Sequence, residues 1–262
     1  MIFLVIYLIA LIGNFFLVLV STMDTTLQTP MYFFLRRLSL MDIGYTTVII
    51  PKILTNFLSK NQSISFRGCA SQVYFSSFFG PSECLILITM AYDRHTAICD
   101  LLLRYSLIMN RRLCLQLALA SWLSRIPVAT VQTTMMFTLP FCGHNLIDHF
   151  FCDSRPLSEV VYTETFAFEV YGVTATVTFL MFPFGVIIVS YVHIIVTILK
   201  MSSAKGRRKA LSTCSSHLIV VSLFFGAASL TYFRVKSSYT PESNKLLSLS
   251  YTVFTPVLNP LI

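Results

Sequence analysis

The sequence predicts an all-α membrane protein, a bundle of seven transmembrane helices with its N-terminus outside, and three observations predict it. Of the 262 residues, 55% are hydrophobic and mean hydropathy is +0.75. Charged residues make up only 11%, against about 25% in a soluble domain, and so few charges cannot cover that much apolar surface around one soluble core. The length also fits. Seven spans of ~20–25 residues would use about 140–175 residues and leave roughly a hundred for short loops. A soluble enzyme, a disordered tail and a small disulfide scaffold are excluded.

Each segment follows from its apolar run. Segment one (1–21) is uncharged and long enough to span, with no small-residue cleavage site that would make it a leader. Segments two (31–58), three (68–98) and four (113–136) are interrupted by Arg36, Arg37 and Asp42, by Glu83, and by Arg125. Segment five (165–199) has no charge from Val170 to Leu199, and segments six (210–233) and seven (246–262) are uncharged throughout. Pro51, Pro127, Pro183 and Pro256 lie inside segments, where neighbouring helices can re-satisfy the freed backbone groups. No linker and no internal repeat divides the chain, so residues 1–262 form a single domain.

The formal net charge is +8, and its placement carries the meaning. Eleven Lys and Arg collect around 36–37, 94–112 and 200–209, and seven fall on the opposite side. The more basic loops belong in the cytosol, which puts the N-terminus and the long loop 137–164 outside. The basic surplus is therefore a topology signal, and nucleic acid is not an expected partner; the lipid bilayer is.

From Cys69 to Arg94 segment three runs 25 residues, about 37 Å of helix, enough to cross a hydrocarbon layer of about 30 Å. Cys69 then sits at the outer surface and Asp93-Arg94 at the cytosolic one. The outer loop offers Cys152 as a partner in a compartment that permits disulfides; two unrelated cysteines are the alternative. The seven cysteines show no CxxC spacing, so zinc-ribbon and thioredoxin-type sites are not expected.

MAYDRHTAIC (90–99) closes segment three with an acid-arginine pair, and this block resembles the rhodopsin-like G-protein-coupled receptors. PMYFFLRRLSLMD (30–42), LPFCGHNLIDHFFCD (139–153), SYVHIIVTILKMSS (190–203), KALSTCSSHLIVVSLFFG (209–226) and PVLNPLI (256–262) narrow the resemblance to odorant receptors. It implies that Asn14, Asp42, Trp122, Pro183 and Pro260 are helix anchors. It implies that Arg94, paired with Asp93, meets a heterotrimeric stimulatory G protein once helix six swings outward. Tyr191 and Asn259 match partners that rearrange in that switch, and Lys209 begins helix six at the coupling surface.

Family geometry would put a ligand pocket in the outer halves of helices three, five, six and seven. The candidates are Ser76, Ser77, Gly80, Ala175, Phe179, Phe225, Ala228, Tyr232 and Thr252. Ser76, Gly80 and Cys84 recur every four residues and share one helix face. Ser76 lies 18 residues from Arg94, about 27 Å along the axis, so ligand and G protein act at opposite ends. Small, aromatic, uncharged lining suits a small apolar odorant. No cofactor is implied, except a sodium ion that the resemblance suggests beside Asp42; Glu83 stands at nearly the same depth, and two carboxylates there must share a proton or hold a cation.

Several residues depart from the family pattern. His95 replaces a Tyr, Phe225 a frequent Tyr, and Cys99-Asp-Leu-Leu-Leu103 lacks a proline. Tyr162 stands where a loop cysteine is expected, which would leave Cys142 free. Arg125 puts a charge inside segment four, costing about 2.5–3.5 kcal/mol if unpaired. His149-Phe-Phe-Cys152 looks like a metal motif, but a disulfide at Cys152 removes its thiolate. Asn61-Gln-Ser63 is a glycosylation sequon on an outer loop. The competing readings are a small-molecule chemoreceptor of the same superfamily outside the nose, and a transporter, which should show repeat symmetry. Catalysis is not expected: the five histidines are dispersed, and no nucleophile stands beside a base.

Overall fold

The computed structural model describes residues 2–59, 62–99, 105, 107–141, 147, 149–154, 157, 166–232 and 256–261. Helix α1 is Ile2–Met23 and ends in a short 3-10 turn, Thr25–Leu27. Asp24 caps that turn: its carboxylate accepts from the Thr26 hydroxyl at 2.7 Å and the Thr26 N–H at 2.8 Å, which holds its pKa below the usual carboxylate range. Helix α2 is Pro30–Leu58, and Pro30 can open it because a first-turn N–H has no helical partner to lose. Helix α3 is Phe66–Cys99, 34 residues. Helices α4 (Arg111–Leu123) and α5 (Arg125–Thr138) form one rod divided at Ser124, whose dihedrals stay helical (φ −63°, ψ −24°). Asn110 caps α4 by accepting from the Leu113 N–H at 2.9 Å.

The fifth rod is made of α6 (Phe166–Thr176), a π-helical turn at Val177–Met181, and α7 (Phe182–Lys200). The π turn sits immediately before Pro183, whose missing N–H interrupts the regular ladder there. Helix α8 is Ala204–Tyr232, and residues 256–261 form a last helical turn ending in the 3-10 piece Asn259–Leu261. Among the described residues, six helices are long and apolar enough to span a membrane, as the first six segments predict. One boundary is corrected. Lys209 does not begin helix six, which starts at Ala204. The run Lys205–Lys209 helps neither burial nor insertion, but Lys, Arg and Ala are good helix formers in water, so the helix extends past its apolar part.

Helix α3 is the axis of the bundle, packed against α2, α4, α5, α7 and α8. Its burial explains its weak amphipathicity: Val73, Ile86, Leu87, Met90 and Ala91 are all nearly inaccessible. The main core joins Phe34, Leu38, Leu87, Ile187, Ile194 and Phe224, and an outer cluster seats Phe151 of the loop on Tyr45, Ile49, Ile50 and Ile53. By contrast α1 presents Ile12, Phe15 and Phe16 outward, a face that lipid rather than protein covers. Two glycines permit close approach. A Cβ on Gly44 would lie 2.5 Å from Phe79 Cζ, and one on Gly13 would lie 3.1 Å from Pro260 Cγ.

The charges that weakened segment two find partners at its cytosolic end. The Arg37 guanidinium stacks over Phe33 at 4.9 Å and over Trp122 at 5.4 Å. Arg36 donates to the Thr22 hydroxyl at 3.1 Å.

Candidate functional site

Four levels along α3 carry the residues singled out by the sequence. At the outer level Cys69 and Cys152 are disulfide-bonded across a separation of 83 residues, with Cα atoms 5.5 Å apart. Gln72, one helical turn below Cys69, reinforces the tie. Its Oε1 accepts from the Cys152 N–H at 2.8 Å, and its Nε2 donates to the Val48 carbonyl of α2 at 3.0 Å. Sequence reasoning missed Gln72, although its i+3 position puts it on the cysteine's face. The His149 ring lies against Phe151, with Nδ1 3.1 Å from the Phe151 carbonyl oxygen, and the sulfur of Cys152 is already committed. Asn61, Cys142, Tyr162 and Thr252 lie outside the described residues.

About two turns deeper is the pocket level. Ser76 is half-buried and its hydroxyl donates to the Val73 carbonyl at 3.1 Å; Ser77 is half-buried and Gly80 buried. Phe179 lies in the π turn, Ala175 one turn above it, and both are half-buried. Phe225 and Ala228 are 1% exposed, and the Phe225 ring stacks on Phe184 at 4.9 Å. Tyr232 is the last residue of α8. The structure adds a residue that the sequence had not assigned to this level. Arg125 is 2% exposed, its Nη2 donates to the Ser77 carbonyl at 2.8 Å, and its guanidinium lies 4.2 Å from the centre of the Phe179 ring. The charge in the fourth rod is thus held by a backbone acceptor and an aromatic face. Two surface depressions lie elsewhere. One, of about 370 Å³, is between Val48, Lys52, Gln72 and Phe75, and the other, of about 350 Å³, is beside Lys205, Arg208 and Lys209.

At mid-depth, four buried polar residues meet. The Asn259 amide donates to Asp42 Oδ2 at 2.8 Å, and Glu83 is buried within electrostatic reach of Asp42. Asn14 donates to the carbonyls of Ala10 (2.9 Å) and Pro256 (2.8 Å). This network joins α1, α2, α3 and the last helical turn, in a layer where every buried polar group needs a partner.

At the cytosolic level Asp93 is 1% exposed and accepts from the Tyr105 hydroxyl at 2.8 Å. Burial, together with the Asp93 carboxylate, pushes the Tyr105 phenol above its usual range. Arg94 is half-buried and lies within electrostatic reach of Asp93, Tyr105, Tyr191, Cys214 and His217. The Tyr191 hydroxyl is 2.6 Å from His217 Nδ1, with the two rings stacked at 5.7 Å. The Cys99 and Thr197 side chains meet at 3.4 Å, and the His95 ring lies 5.9 Å from that of His193. The Tyr191–His217 bond therefore ties α7 to α8, within electrostatic reach of Arg94 on α3. Lys209 is exposed on the α8 surface, apart from that point. Tyr105 and His217 were not singled out as functional by the sequence; only the quoted 209–226 block, which contains His217, signalled one of them.

The family model described as olfactory receptor matches residues 3–262. The chain is 57% identical over 260 residues to the human olfactory receptor 10A7, covering 99% of this chain and 82% of that one. It is 55% identical to the human olfactory receptor 10A2, covering 99% and 86%. Squid rhodopsin superposes with a TM-score of 0.76 at 18% identity, over 99% of this chain and 79% of the other, which shows the seven-helix fold. The chain belongs to the olfactory receptor family, as a non-enzymatic multi-pass receptor of the plasma membrane.

Proposed function

We propose that this receptor binds a small, largely apolar odorant in the outer half of the bundle and couples it to a stimulatory G protein that raises cAMP. The ligand contacts are Ser76, Ser77, Gly80, Ala175, Phe179, Phe225, Ala228, Tyr232 and Thr252. Coupling runs through Asp93, Arg94, Tyr191 and Asn259, with Lys209 on the G-protein-facing surface, and the N-terminus faces outward. The observation that carries the reading is the buried Tyr191–His217 hydrogen bond between α7 and α8, within electrostatic reach of Arg94. That bond joins two helices through polar groups that an outward swing of α8 exchanges, so a ligand that prefers one arrangement shifts the population.

The Asp42–Glu83 pair is the second part of the proposal: it holds a sodium ion in the resting state. The two buried carboxyls would supply hard oxygen ligands, and the Asn259 amide, which donates to Asp42, an orienting bond. Asn61 is the glycosylation candidate on the outside. The test is a cAMP reporter in cells displaying the receptor, challenged with a broad odorant panel. A saturable response that requires the stimulatory G protein supports the reading; responses carried solely by another G-protein class overturn it.

A further inference from the structure

The first turns of α8 carry a charged face that the Tyr191–His217 bond leaves unused. Lys205, Arg208, Lys209, Ser212 and Thr213 line a depression of about 350 Å³, and the three cations and Ser212 are exposed. Its direction can be read around the helix. Cys214, His217, Val221, Phe224 and Ala228 are buried and recur every three or four residues, so they mark the stripe that packs into the bundle. Lys205, Arg208, Ser212, Ile219 and Leu223 recur at intervals of three, four and seven, on a stripe about half a turn away. Ile219 and Leu223 are exposed, and apolar side chains on the outside of a span are covered by lipid. The charged depression is therefore continuous with the lipid-facing side of α8. Lys209 stands at its edge, nearer the bundle than Lys205 or Arg208.

Basic residues satisfy topology anywhere on the cytosolic side, so topology does not gather them on one helix face. No acid on α7 or α8 answers them, because the chain has no Asp or Glu between Glu169 and Glu242. Asp24 is bonded to Thr26, and Asp93 is buried against Tyr105. The cytosolic leaflet supplies anions, and clusters of Lys and Arg beside a span attract its acidic lipids. Residues three apart on a helix have Cβ atoms about 5–6 Å apart, so Lys205 and Arg208 suit a head group with several phosphates better than one with a single charge. Ser212 lies one turn deeper, where a phosphodiester would stand. Ile219 is eleven residues from Arg208, about 16 Å along the axis, within reach of an acyl chain.

We propose that the outward face of α8 around Lys205 and Arg208 binds a phosphoinositide of the cytosolic leaflet, with the phosphorylated ring in the depression and an acyl chain along Ile219 and Leu223. The placement rests on the orientation given under the proposed function, and it leaves the inner end of α3 to the G protein.

The test uses the full-length receptor in detergent and a fluorescent short-chain phosphatidylinositol bisphosphate, with binding read by fluorescence polarisation and without odorant or G protein. Wild type should bind it saturably, at least tenfold more tightly than it binds phosphatidylserine or free inositol trisphosphate, both measured by competition. Arg208→Gln should weaken binding at least fivefold, and adding Lys205→Gln should weaken it further. Arg207→Gln removes the same charge from the neighbouring position, about 200° around the helix from Lys205, and should change binding less than twofold. Gln is close to Lys and Arg in helix propensity, so the thermal midpoints of these variants should match wild type. Equal losses from Arg207→Gln and Arg208→Gln overturn the proposal, since a diffuse positive field would then suffice. So does phosphatidylserine or free inositol trisphosphate that competes as well as the lipid, or a wild type that binds no phosphoinositide. An Arg208→Gln receptor that keeps lipid binding but loses its cAMP response assigns this face to the G protein and overturns the proposal too. Odorant-driven cAMP from a receptor that binds no phosphoinositide sinks this site alone, whereas lipid binding without any odorant response sinks the coupling alone.

Discussion

Cys69→Ser opens the covalent tie between α3 and the outer loop, and its cost can be worked from the structure. The bridge closes 83 residues, for which the chain-entropy relation gives about 4.5 kcal/mol. That is an upper figure, because the unfolded state in a bilayer keeps its helices and has less freedom to lose. Part of the docking also survives. Phe151, Cys152 and Leu157 are buried, and the Cys152 N–H keeps its bond to Gln72, worth about 1 kcal/mol net. A loss of about 2–4 kcal/mol remains. At roughly 2–4 °C per kcal/mol for a chain of this size, the thermal midpoint of purified receptor should fall by about 4–16 °C. Wild type in strong reductant should fall to the same midpoint, while Cys69→Ser should be indifferent to reductant. A variant that melts with oxidised wild type would refute the reasoning, since the loop would then be held by packing and Gln72 alone.

Three further outcomes are expected. If Asp42 and Glu83 hold sodium in the resting state, raising sodium should right-shift the agonist dose–response of wild type, and Glu83→Gln should abolish the shift; equal sodium sensitivity at equal surface level rules the site out. Gly44→Ala places a Cβ 2.5 Å from the Phe79 ring and should cost about 1–3 kcal/mol by overpacking, visible as a lower midpoint that Phe79→Ala in the same chain partly restores. Tyr105→Phe deprives the buried Asp93 carboxylate of its 2.8 Å donor and should cost about 1–3 kcal/mol in thermal unfolding, whereas a midpoint equal to wild type would show that the bond contributes nothing.

The parts of the fold that were legible in sequence are those written in apolar runs. The runs at 1–21, 31–58 and 68–98 predict α1, α2 and α3 to within two residues at each end. The start of α8 was not legible, because Ala204–Lys209 is helical in water and carries no apolar signature. Position along α3 was legible from residue counting, which is why the Cys69 bridge emerges where axial distance puts it. Partners reached across helices were not. Nothing local marks Tyr105 as the donor to Asp93, or Gln72 as the clip for the loop. Arg125 shows the limit most clearly: sequence gives its insertion cost, but the Ser77 carbonyl and Phe179 ring that hold it belong to two other rods.

The central claim is that ligand and G protein act at opposite ends of α3, joined through Arg94. Arg94→Ala tests it when ligand binding and cAMP are measured on the same receptor at matched surface level. The substitution lies about 27 Å along the helix from Ser76, so binding of an activating odorant should persist within a few-fold while the cAMP response disappears. A cAMP dose–response that matches wild type would contradict the account.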